Sequence, residues 1–356
     1  MTILITGAAG FLGVQIVKLL RAADASLQLI GIDNLSRKGS ETNLPVLEKA
    51  NCTLIQVSIA DEAAIAALPK VDFIIDCAAN PSVLAGVNGS SSLGLIQDNL
   101  VGTFYLLEKC KKDNAGLVLI STSRVYSIDA LNQIPLCISN HRFLADTTQK
   151  VNWPQGLTDK GISENFSTQS PLSLYGATKL SSEILALEYH YSFGFPVWVN
   201  RCGVIAGAGQ FGKIDQGIFS FWPYQYALNR PLSFIGYEGK GVQARDVVHP
   251  KDVFSLVHKQ IFEPVTNASR VVNIGGGQAN TWSLYELDKF CKKHFTKSEP
   301  VQSVATNRAF DIPLYVTDYS LAQQHWGWQP LFTIEEIMEE IVLFTKQNMD
   351  FVRAIS

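Results

Sequence analysis

The chain has 356 residues, 47% of them apolar, which is enough for one large α/β unit or two fused lobes. A net charge of −3 and a pI of about 6.1 provide no basic field for nucleic acid. No apolar run reaches the length of a membrane span, and a strand-like run starts at once, so we expect a cytoplasmic protein without membrane contact. The six cysteines lack metal-type spacing, which favours free thiols and no bound metal.

Strand-like and helical patterns alternate through about the first two hundred residues. The predicted strands are 2–6, 27–33, 52–58, 72–79, 116–122 and 196–202, and the predicted helices are 11–22, 61–68, 95–113 and 173–193. This alternation predicts an α/β fold with a Rossmann-type, doubly wound parallel sheet, whose ligands lie beyond the carboxyl ends of the strands. Residues 127–170 interrupt the pattern as a polar segment, of a length usual for functional or disordered loops.

The pattern changes after residue 203. A glycine-rich stretch is followed by short strands at 233–237 and 271–275, mixed with helices at 251–262, 283–295 and 333–347. We therefore predict a smaller C-terminal α/β substrate lobe. The first domain is predicted to comprise residues 1–202 plus 246–275, and the lobe to comprise residues 203–245 plus 276–356.

A glycine-rich turn follows the first predicted strand and precedes the first predicted helix. Gly7, Gly10 and Gly13 are spaced G-x-x-G-x-x-G, which differs from the commoner G-x-G-x-x-G. Gly7 permits a tight turn, Gly10 leaves room for a pyrophosphate, and Gly13 lets helix and strand pack closely. Because N–H groups at a helix N-terminus bind phosphate, the turn indicates a dinucleotide site, with an ordinary turn as the alternative.

Asp33 ends the second predicted strand, about twenty residues past the glycines, where a dinucleotide-binding unit places its ribose ligand. A carboxylate there accepts hydrogen bonds from ribose hydroxyls and repels a 2′-phosphate. The sequence therefore favours NAD as the cofactor over NADP, while Arg37 and Lys38 keep NADP open.

A Tyr-x-x-x-Lys pair is a candidate base for alcohol oxidation. Side chains four residues apart share a helix face, and the ammonium is expected to lower the pKa of the phenol. The pair occurs three times, at Tyr105/Lys109, Tyr175/Lys179 and Tyr285/Lys289. We favour Tyr175, because it follows the fifth strand, whose end carries hydroxyls at 121–123, and opens a helix. For Tyr105 and Lys109, in mid-helix, we expect a surface or interface role.

These motifs together resemble the extended short-chain dehydrogenase/reductases, the nucleotide-sugar epimerases and dehydratases, over nearly the whole chain. The resemblance is carried by residues 6–13, Asp33, 121–126, Tyr175-x-x-x-Lys179, Asn99 in Asn-x-x-Gly-Thr, Arg245 in Arg-Asp-Val-Val-His, and Arg308-x-x-Asp311. It implies that Thr122, Tyr175 and Lys179 are catalytic. It also implies that Arg245 meets the substrate diphosphate and that Arg308 and Asp311 hold nucleotide phosphate and ribose.

The resemblance implies further contacts and an oligomeric state. For NAD it implies Gly7, Gly10, Phe11, Leu12, Gly13, Asp33, Asn34, Ser36, Arg37, Ser58, Ile59, Ala78, Ala79, Asn99, Tyr175 and Lys179. For the substrate it implies Ser82, Thr122, Gln210, Phe211, Gln216, Arg245, Arg308 and Asp311. Ser58 stands where the family usually has an adenine-contacting Asp. The implied partner is a second copy of the chain, paired through helices 95–113 and 173–193 as a homodimer.

A narrower resemblance, to the CDP-paratose 2-epimerases, is carried by residues 33–44, 209–212, 215–217 and 242–246. It implies an epimerase of a CDP-sugar that oxidises the sugar transiently and returns hydride to the opposite face, in polysaccharide biosynthesis. A 4-epimerase, dehydratase or decarboxylase of the same family stays open. So does a catalytically silent nucleotide sensor, which would have no need of the Thr122, Tyr175 and Lys179 set.

Overall fold

The computed structural model describes residues 1–87, 89, 91–213 and 216–356. The strands, in chain order, are β1 (Thr2–Thr6), β2 (Gln28–Asp33), β3 (Cys52–Gln56), β4 (Phe73–Asp76), β5 (Gly116–Thr122), β6 (Leu136–Ser139), β7 (Arg142–Ala145), β8 (Leu157–Thr158), β9 (Gly161–Ile162), β10 (Val197–Cys202), β11 (Val204–Ile205), β12 (Ser233–Ile235), β13 (Ala244–Val248), β14 (Val271–Ile274), β15 (Thr281–Ser283), β16 (Gln302–Val304) and β17 (Leu314–Tyr315). The α-helices are α1 (Phe11–Ala23), α2 (Leu44–Lys49), α3 (Glu62–Ala67), α4 (Leu93–Ile96), α5 (Gly102–Asp113), α6 (Ile128–Asn132), α7 (Leu174–Phe193), α8 (Ile218–Ala227), α9 (Pro250–Phe262), α10 (Leu284–His294), α11 (Ser320–Trp326), α12 (Ile334–Gln347) and α13 (Met349–Ile355).

Seven parallel strands form the central sheet in the order β14-β10-β5-β4-β1-β2-β3. The chain adds strands on one side of β1 and then on the other, so strand order reverses between β1 and β4. This confirms the predicted Rossmann-type sheet. The reversal opens a crevice at the carboxyl ends of β1 and β4, the position at which doubly wound sheets bind ligands.

Helices cover both faces of this sheet. Neighbouring residues of β1 point to opposite faces, so Ile3 packs with Val17 and Leu256 while Leu4 packs with Leu106 and Val199. Because both faces are buried, the strands read as nearly continuous apolar runs rather than as alternating ones.

The second lobe has its own sheet, in which β13 lies between β11 and β15 and also pairs with β17. Its core lies among α8, α10 and α12, where Trp222, Leu287 and Met338 are buried together. Strand β13 straddles the predicted boundary between residues 245 and 246. The chain then returns to the first domain, where α9 packs on α1 and β14 ends the central sheet.

The polar segment 127–170 contains short ordered elements. Helix α6, the β6–β7 hairpin and the β8–β9 pair all fall within it, and Ile128 and Phe166 are buried against Tyr126. The hairpin joins the second lobe, where the Phe143 N–H donates to the Val242 carbonyl at 2.9 Å. These elements have two to five residues each, which is too short for hydrophobic periodicity to reveal.

Candidate active site

The glycine-rich turn connects β1 to α1 with little space to spare. Gly7 has φ +59°, and a Cβ on it would lie 3.0 Å from the Ala78 Cα. A Cβ on Gly13 would overlap the Gly7 carbonyl, so only glycine lets the helix start so close to the strand. Gly10 caps α1 without a side-chain hydrogen bond, and the first turn contains no acidic residue. The cradle therefore fits a phosphate group next to Phe11 and Leu12.

Asp33 lies directly beside this turn. Its carboxylate accepts hydrogen bonds from the Ala9 N–H at 3.0 Å and the Leu35 N–H at 2.8 Å. Burial raises the pKa of Asp33, although these backbone donors oppose the shift. Arg37 reaches the second lobe, where it donates to Gln216 Oε1 at 2.6 Å and to the Phe211 carbonyl at 2.8 Å. The Asp33 carboxylate thus lies at the glycine-rich turn, while the Arg37 guanidinium is hydrogen-bonded to the second lobe.

The remaining predicted cofactor residues lie on loops at the same edge of the sheet. Asn34 accepts from the Ser36 N–H at 3.0 Å, and Ser58 accepts from the Ala60 N–H at 3.1 Å. Ile59 is buried after β3, and Ala78 and Ala79 follow β4. The sheet therefore brings loops predicted from separate parts of the sequence to one crevice.

Asn99 connects two of the elements that carry the site. It lies in a π-helical turn at Gln97–Val101 and is 1% exposed. Its amide group exchanges hydrogen bonds with the Asn80 backbone at 2.7 and 3.0 Å and donates to Thr178 Oγ1 at 3.2 Å. The structure thus shows Asn99 fixing the loop after β4 against the start of α7.

Tyr175 and Thr122 meet at the carboxyl end of β5. The Thr122 side chain lies close to the Tyr175 phenol, and Gly176 allows the approach because a Cβ there would overlap the Arg124 carbonyl. Burial raises the pKa of Tyr175 to about 12, against smaller lowering effects of Thr122 and Arg124. Burial therefore outweighs the groups that lower this pKa, and the expected lowering by Lys179 stays a prediction.

Lys179 lies one turn after Tyr175 and is 1% exposed, beside Cys77 and Cys202 at the ends of β4 and β10. Among the residues that the structure describes, no carboxylate lies within ion-pair distance of its ammonium. A buried ammonium of this kind is suited to donate to hydroxyls brought by a ligand, such as those of a ribose. The residues therefore fit a dinucleotide bound from the glycine turn to α7.

A polar network below Thr122 escaped the sequence analysis. Glu183 lies eight residues after Tyr175 on the same face of α7, accepts a short hydrogen bond from Ser121, and pairs with Arg201 at 2.7 Å. Arg201 in turn donates to the Tyr126 hydroxyl at 3.3 Å. The i, i+4, i+8 spacing of Tyr175, Lys179 and Glu183 was the available signal. The network fastens α7 to β5.

The other two Tyr-x-x-x-Lys pairs lie away from this edge. Lys109 is 3% exposed and forms an ion pair with Asp113 at 2.6 Å, which corrects the surface or interface role expected for it to a structural one in the interior. Tyr285 stacks on His141 with ring centroids 4.1 Å apart. The fold therefore separates three equivalent sequence motifs, and only Tyr175 and Lys179 lie at the edge of the sheet that carries the glycine-rich turn.

A cavity of about 280 Å³ lies between the lobes and is lined by residues of both. Four of the predicted substrate residues line it, namely Gln216, Arg245, Arg308 and Asp311. Arg245 pairs with Asp311 at 3.4 Å and donates to the Ile312 carbonyl at 2.6 Å. Arg124 also lines the cavity, which the sequence analysis did not predict.

The other four predicted substrate residues, Thr122 among them, lie outside the lining of this cavity. Gln210 donates to the Ile205 carbonyl at 2.7 Å and accepts from Ser220 at 2.9 Å. Phe211 packs with Tyr224 and the C-terminal helix. Ser82 lies just before two lining residues, Val83 and Leu84. Asp215, part of the narrower resemblance, falls outside the described residues.

The comparisons with known proteins identify the family. A sequence model described as the NAD dependent epimerase/dehydratase family matches residues 3–275. The chain belongs to the NAD-dependent epimerase/dehydratase family. This membership confirms the extended short-chain dehydrogenase/reductase resemblance and NAD as the cofactor. When bound, NAD supplies a reversible hydride acceptor.

Individual relatives of this family member cover almost its full length. A UDP-glucuronate 4-epimerase of Thermodesulfobacterium geofontis is 26% identical over 99% of this chain and 98% of its own. A CDP-paratose 2-epimerase of Salmonella typhi is 27% identical over 97% of this chain and 99% of its own. The crystal structure of UDP-glucuronic acid 4-epimerase from Bacillus cereus, with UDP-glucuronic acid and NAD, has a TM-score of 0.78 at 24% identity, covering 98% and 99% of the two chains. No helix in the described part of the chain is long and apolar enough to cross a bilayer.

Proposed function

We propose that this protein is an NAD-dependent epimerase of a nucleotide-diphosphate sugar, acting at C2 of a CDP-deoxyhexose. One observation carries the proposal: Tyr175 lies near Thr122, and Arg124, two residues further along the chain, lines a cavity together with Arg245 and Arg308. The pair supplies acid–base chemistry on a sugar hydroxyl, and the arginines supply an anchor for a diphosphate. The preference for C2 and for cytidine rests on the narrower sequence resemblance.

Tyr175 removes the proton of the reacting hydroxyl as the sugar is oxidised, and it returns that proton when the sugar is reduced. Thr122 hydrogen-bonds the same oxygen and keeps it near the phenol. Because burial raises the pKa of Tyr175 to about 12, the base needs further stabilisation of its anion during turnover. Lys179, buried one helical turn away, is the cation in position to provide it.

Inversion requires the keto sugar to turn over without leaving the protein. The nucleotide end must therefore stay bound while the sugar end moves. Arg245 is held rigidly by Asp311 and by the Ile312 carbonyl, so its remaining donors are pre-oriented for phosphate. The glycine-rich stretch 207–217 adjoins the cavity at Gln216 and Gly217 and contributes to a roomy sugar site.

Dehydration is the less suitable reaction for this site. Removal of water needs an acid and a base beyond the oxidation pair, and the family's dehydratases usually carry Asp-Glu directly after the catalytic hydroxyl. Ser123 and Arg124 occupy those positions here. A 4-epimerase and a decarboxylase remain the alternatives within the family, and a sensor without turnover remains the alternative outside it.

Incubation with purified nucleotide sugars tests the proposal. The panel contains a CDP-3,6-dideoxyhexose, a UDP-hexose, a UDP-uronate and a dTDP-hexose, and the ring proton couplings in the NMR spectrum of each product report which carbon has inverted. Inversion at C2 of the CDP-sugar alone is the expected result. Inversion at C4, or release of carbon dioxide, replaces the proposed reaction by an alternative. Absence of turnover with every sugar points to the sensor.

The family resemblance also leads us to propose an oligomeric state, a cellular location and a domain organisation. Exposed apolar side chains on α4, α5 and α7, which are Leu93, Ile96, Phe104, Leu174, Ile184 and Phe193, support a homodimer paired through these helices. We place the protein in the cytoplasm, with an NAD-binding domain of residues 1–202 plus 246–275 and a nucleotide-sugar lobe of residues 203–245 plus 276–356. Light scattering of the wild type and of Ile184→Asp measures the predicted dimer and its loss.

A further inference from the structure

Arg124 connects the catalytic pair to the substrate cavity. It lies two residues past Thr122, in the short helical turn Ser123–Val125 that follows β5. Its backbone carbonyl packs on Gly176, next to Tyr175, and its side chain lines the cavity between the lobes. Arg124 therefore lies next to Tyr175 on one side and lines the proposed nucleotide site on the other.

The side chain of Arg124 is attached to the same segment as the predicted diphosphate anchor. Its Nη1 donates to the Phe310 carbonyl at 3.2 Å, while Arg245 Nη2 donates to the Ile312 carbonyl at 2.6 Å. Phe310 has φ +60°, a left-handed conformation that is rare for an aromatic residue. Two guanidinium groups are thus held side by side on alternate carbonyls of one strained segment.

Guanidinium groups predominate among the charged residues that line this cavity. The charged residues in its described lining are Arg124, Arg245, Arg308 and Asp311. Asp311 pairs with Arg245, and no described carboxylate lies within ion-pair distance of Arg124. Burial, reinforced by Arg245, lowers the pKa of Arg124 to about 10. Guanidinium groups that line a buried cavity suit a phosphate ligand, which each can bind through two hydrogen bonds.

We propose that Arg124 binds the phosphate attached to the sugar, and so joins the diphosphate anchor to the carbon on which Tyr175 acts. The inference rests on the proposed function and deepens it. Because Arg124 lies near both Tyr175 and the proposed phosphate site, the hydroxyl that reaches Tyr175 is the one on the sugar carbon next to the carbon that carries the phosphate. Arg124 is then a substrate-binding residue that fixes which carbon faces the base.

Binding of nucleotides without a sugar tests this assignment independently of turnover. Calorimetry on the full-length, NAD-saturated protein compares CMP with CDP and UMP with UDP, since only the diphosphates carry the second phosphate. We expect Arg124→Gln to weaken diphosphate binding roughly ten- to a hundredfold and to change monophosphate binding less than about twofold. Arg124→Lys keeps the positive charge but not the two parallel N–H donors of the guanidinium, so it should lose less diphosphate affinity than Arg124→Gln. Arg353→Gln, at an exposed side chain of the C-terminal helix, is the control and should change the binding of neither ligand.

Several results would overturn the inference. An unchanged preference for diphosphate over monophosphate in Arg124→Gln means that Arg124 does not contact the second phosphate. An equal loss of affinity for monophosphate and diphosphate in both Arg124→Gln and Arg124→Lys means that the substitutions disturb the whole cavity, so Arg124 has no specific contact with the second phosphate. If the wild-type protein binds neither the cytidine nor the uridine nucleotides, the proposed function is refuted together with this inference. If the wild type epimerises a nucleotide sugar but Arg124→Gln keeps the preference for diphosphate, only this inference is refuted.

Discussion

Gly176 and Arg124 are in direct contact, and any side chain at residue 176 would overlap the Arg124 carbonyl. The contact closes the gap between the start of α7 and the turn after β5. Ser173 caps the same helix end by accepting from the Gly176 N–H at 3.2 Å. The distance between Tyr175 and Thr122 is therefore set by a glycine that touches neither the substrate nor the cofactor.

Gly176→Ala is expected to separate the catalytic pair. The added methyl group must push α7 away from β5, and displacements of about 1 Å cost on the order of a hundredfold in turnover. We expect kcat to fall by that order, while the NAD affinity changes little because the glycine turn is remote. Gly94→Ala, at a helical glycine whose Cβ would meet open space, is the matched control. Wild-type turnover in Gly176→Ala would show that the contact does not position Tyr175.

Tyr175→Phe tests which tyrosine is the base. The variant keeps the ring and removes the hydroxyl, so turnover should fall by about 10²–10⁴ while NAD stays bound. Tyr105→Phe and Tyr285→Phe are the controls, since these tyrosines lie in structural pairs away from the crevice. Steady-state kinetics and nucleotide release on denaturation measure both properties. Loss of activity in Tyr105→Phe alone would mean that the active site is wrongly placed.

Asp33→Ala tests the choice of cofactor. Removal of a charge-assisted hydrogen bond costs about 1.5–3 kcal/mol, so NAD should bind roughly ten- to a hundredfold more weakly. Because Asp33 also accepts from the N–H groups of Ala9 and Leu35, thermal melting must show that the turn stays folded. Calorimetry with NAD and NADP gives the selectivity. Tighter binding of NADP by the wild type would refute the role given to this carboxylate.

Arg308→Ala tests the diphosphate anchor during inversion. Loss of a desolvated charge-assisted contact should weaken nucleotide-sugar binding by about 2–3 kcal/mol. Binding energy at the remote end positions the reacting carbon, so turnover should also fall. Some keto sugar should escape and leave part of the protein with reduced cofactor, seen as absorbance in the reduced-nicotinamide band. Normal binding without that absorbance would place the anchor elsewhere.

The sequence identified the elements that are long and strongly patterned. The first six strands of the central sheet and the helices α1, α3, α5, α7, α9, α10 and α12 were predicted to within a few residues, because buried strands and amphipathic helices leave continuous apolar patterns. The short helices α2 and α6 were not predicted. The parallel sheet followed from their alternation. The positions of the cofactor-binding loops were predicted from the glycine spacing and Asp33, because the conformation of such a turn depends on residues close together in the sequence.

What the sequence could not supply was contact between distant residues. It held three equivalent Tyr-x-x-x-Lys pairs, and only the fold shows that Lys109 is paired in the interior while Tyr175 meets Thr122. Arg124 and Arg245 are 121 residues apart, yet a segment near residue 310 holds both at one cavity. Local spacing determined which residues lie on strands, turns and helices. Packing alone decided the burial of Tyr175 and the charge of its surroundings, because desolvation and electrostatic interaction depend on neighbours that only the folded chain brings together.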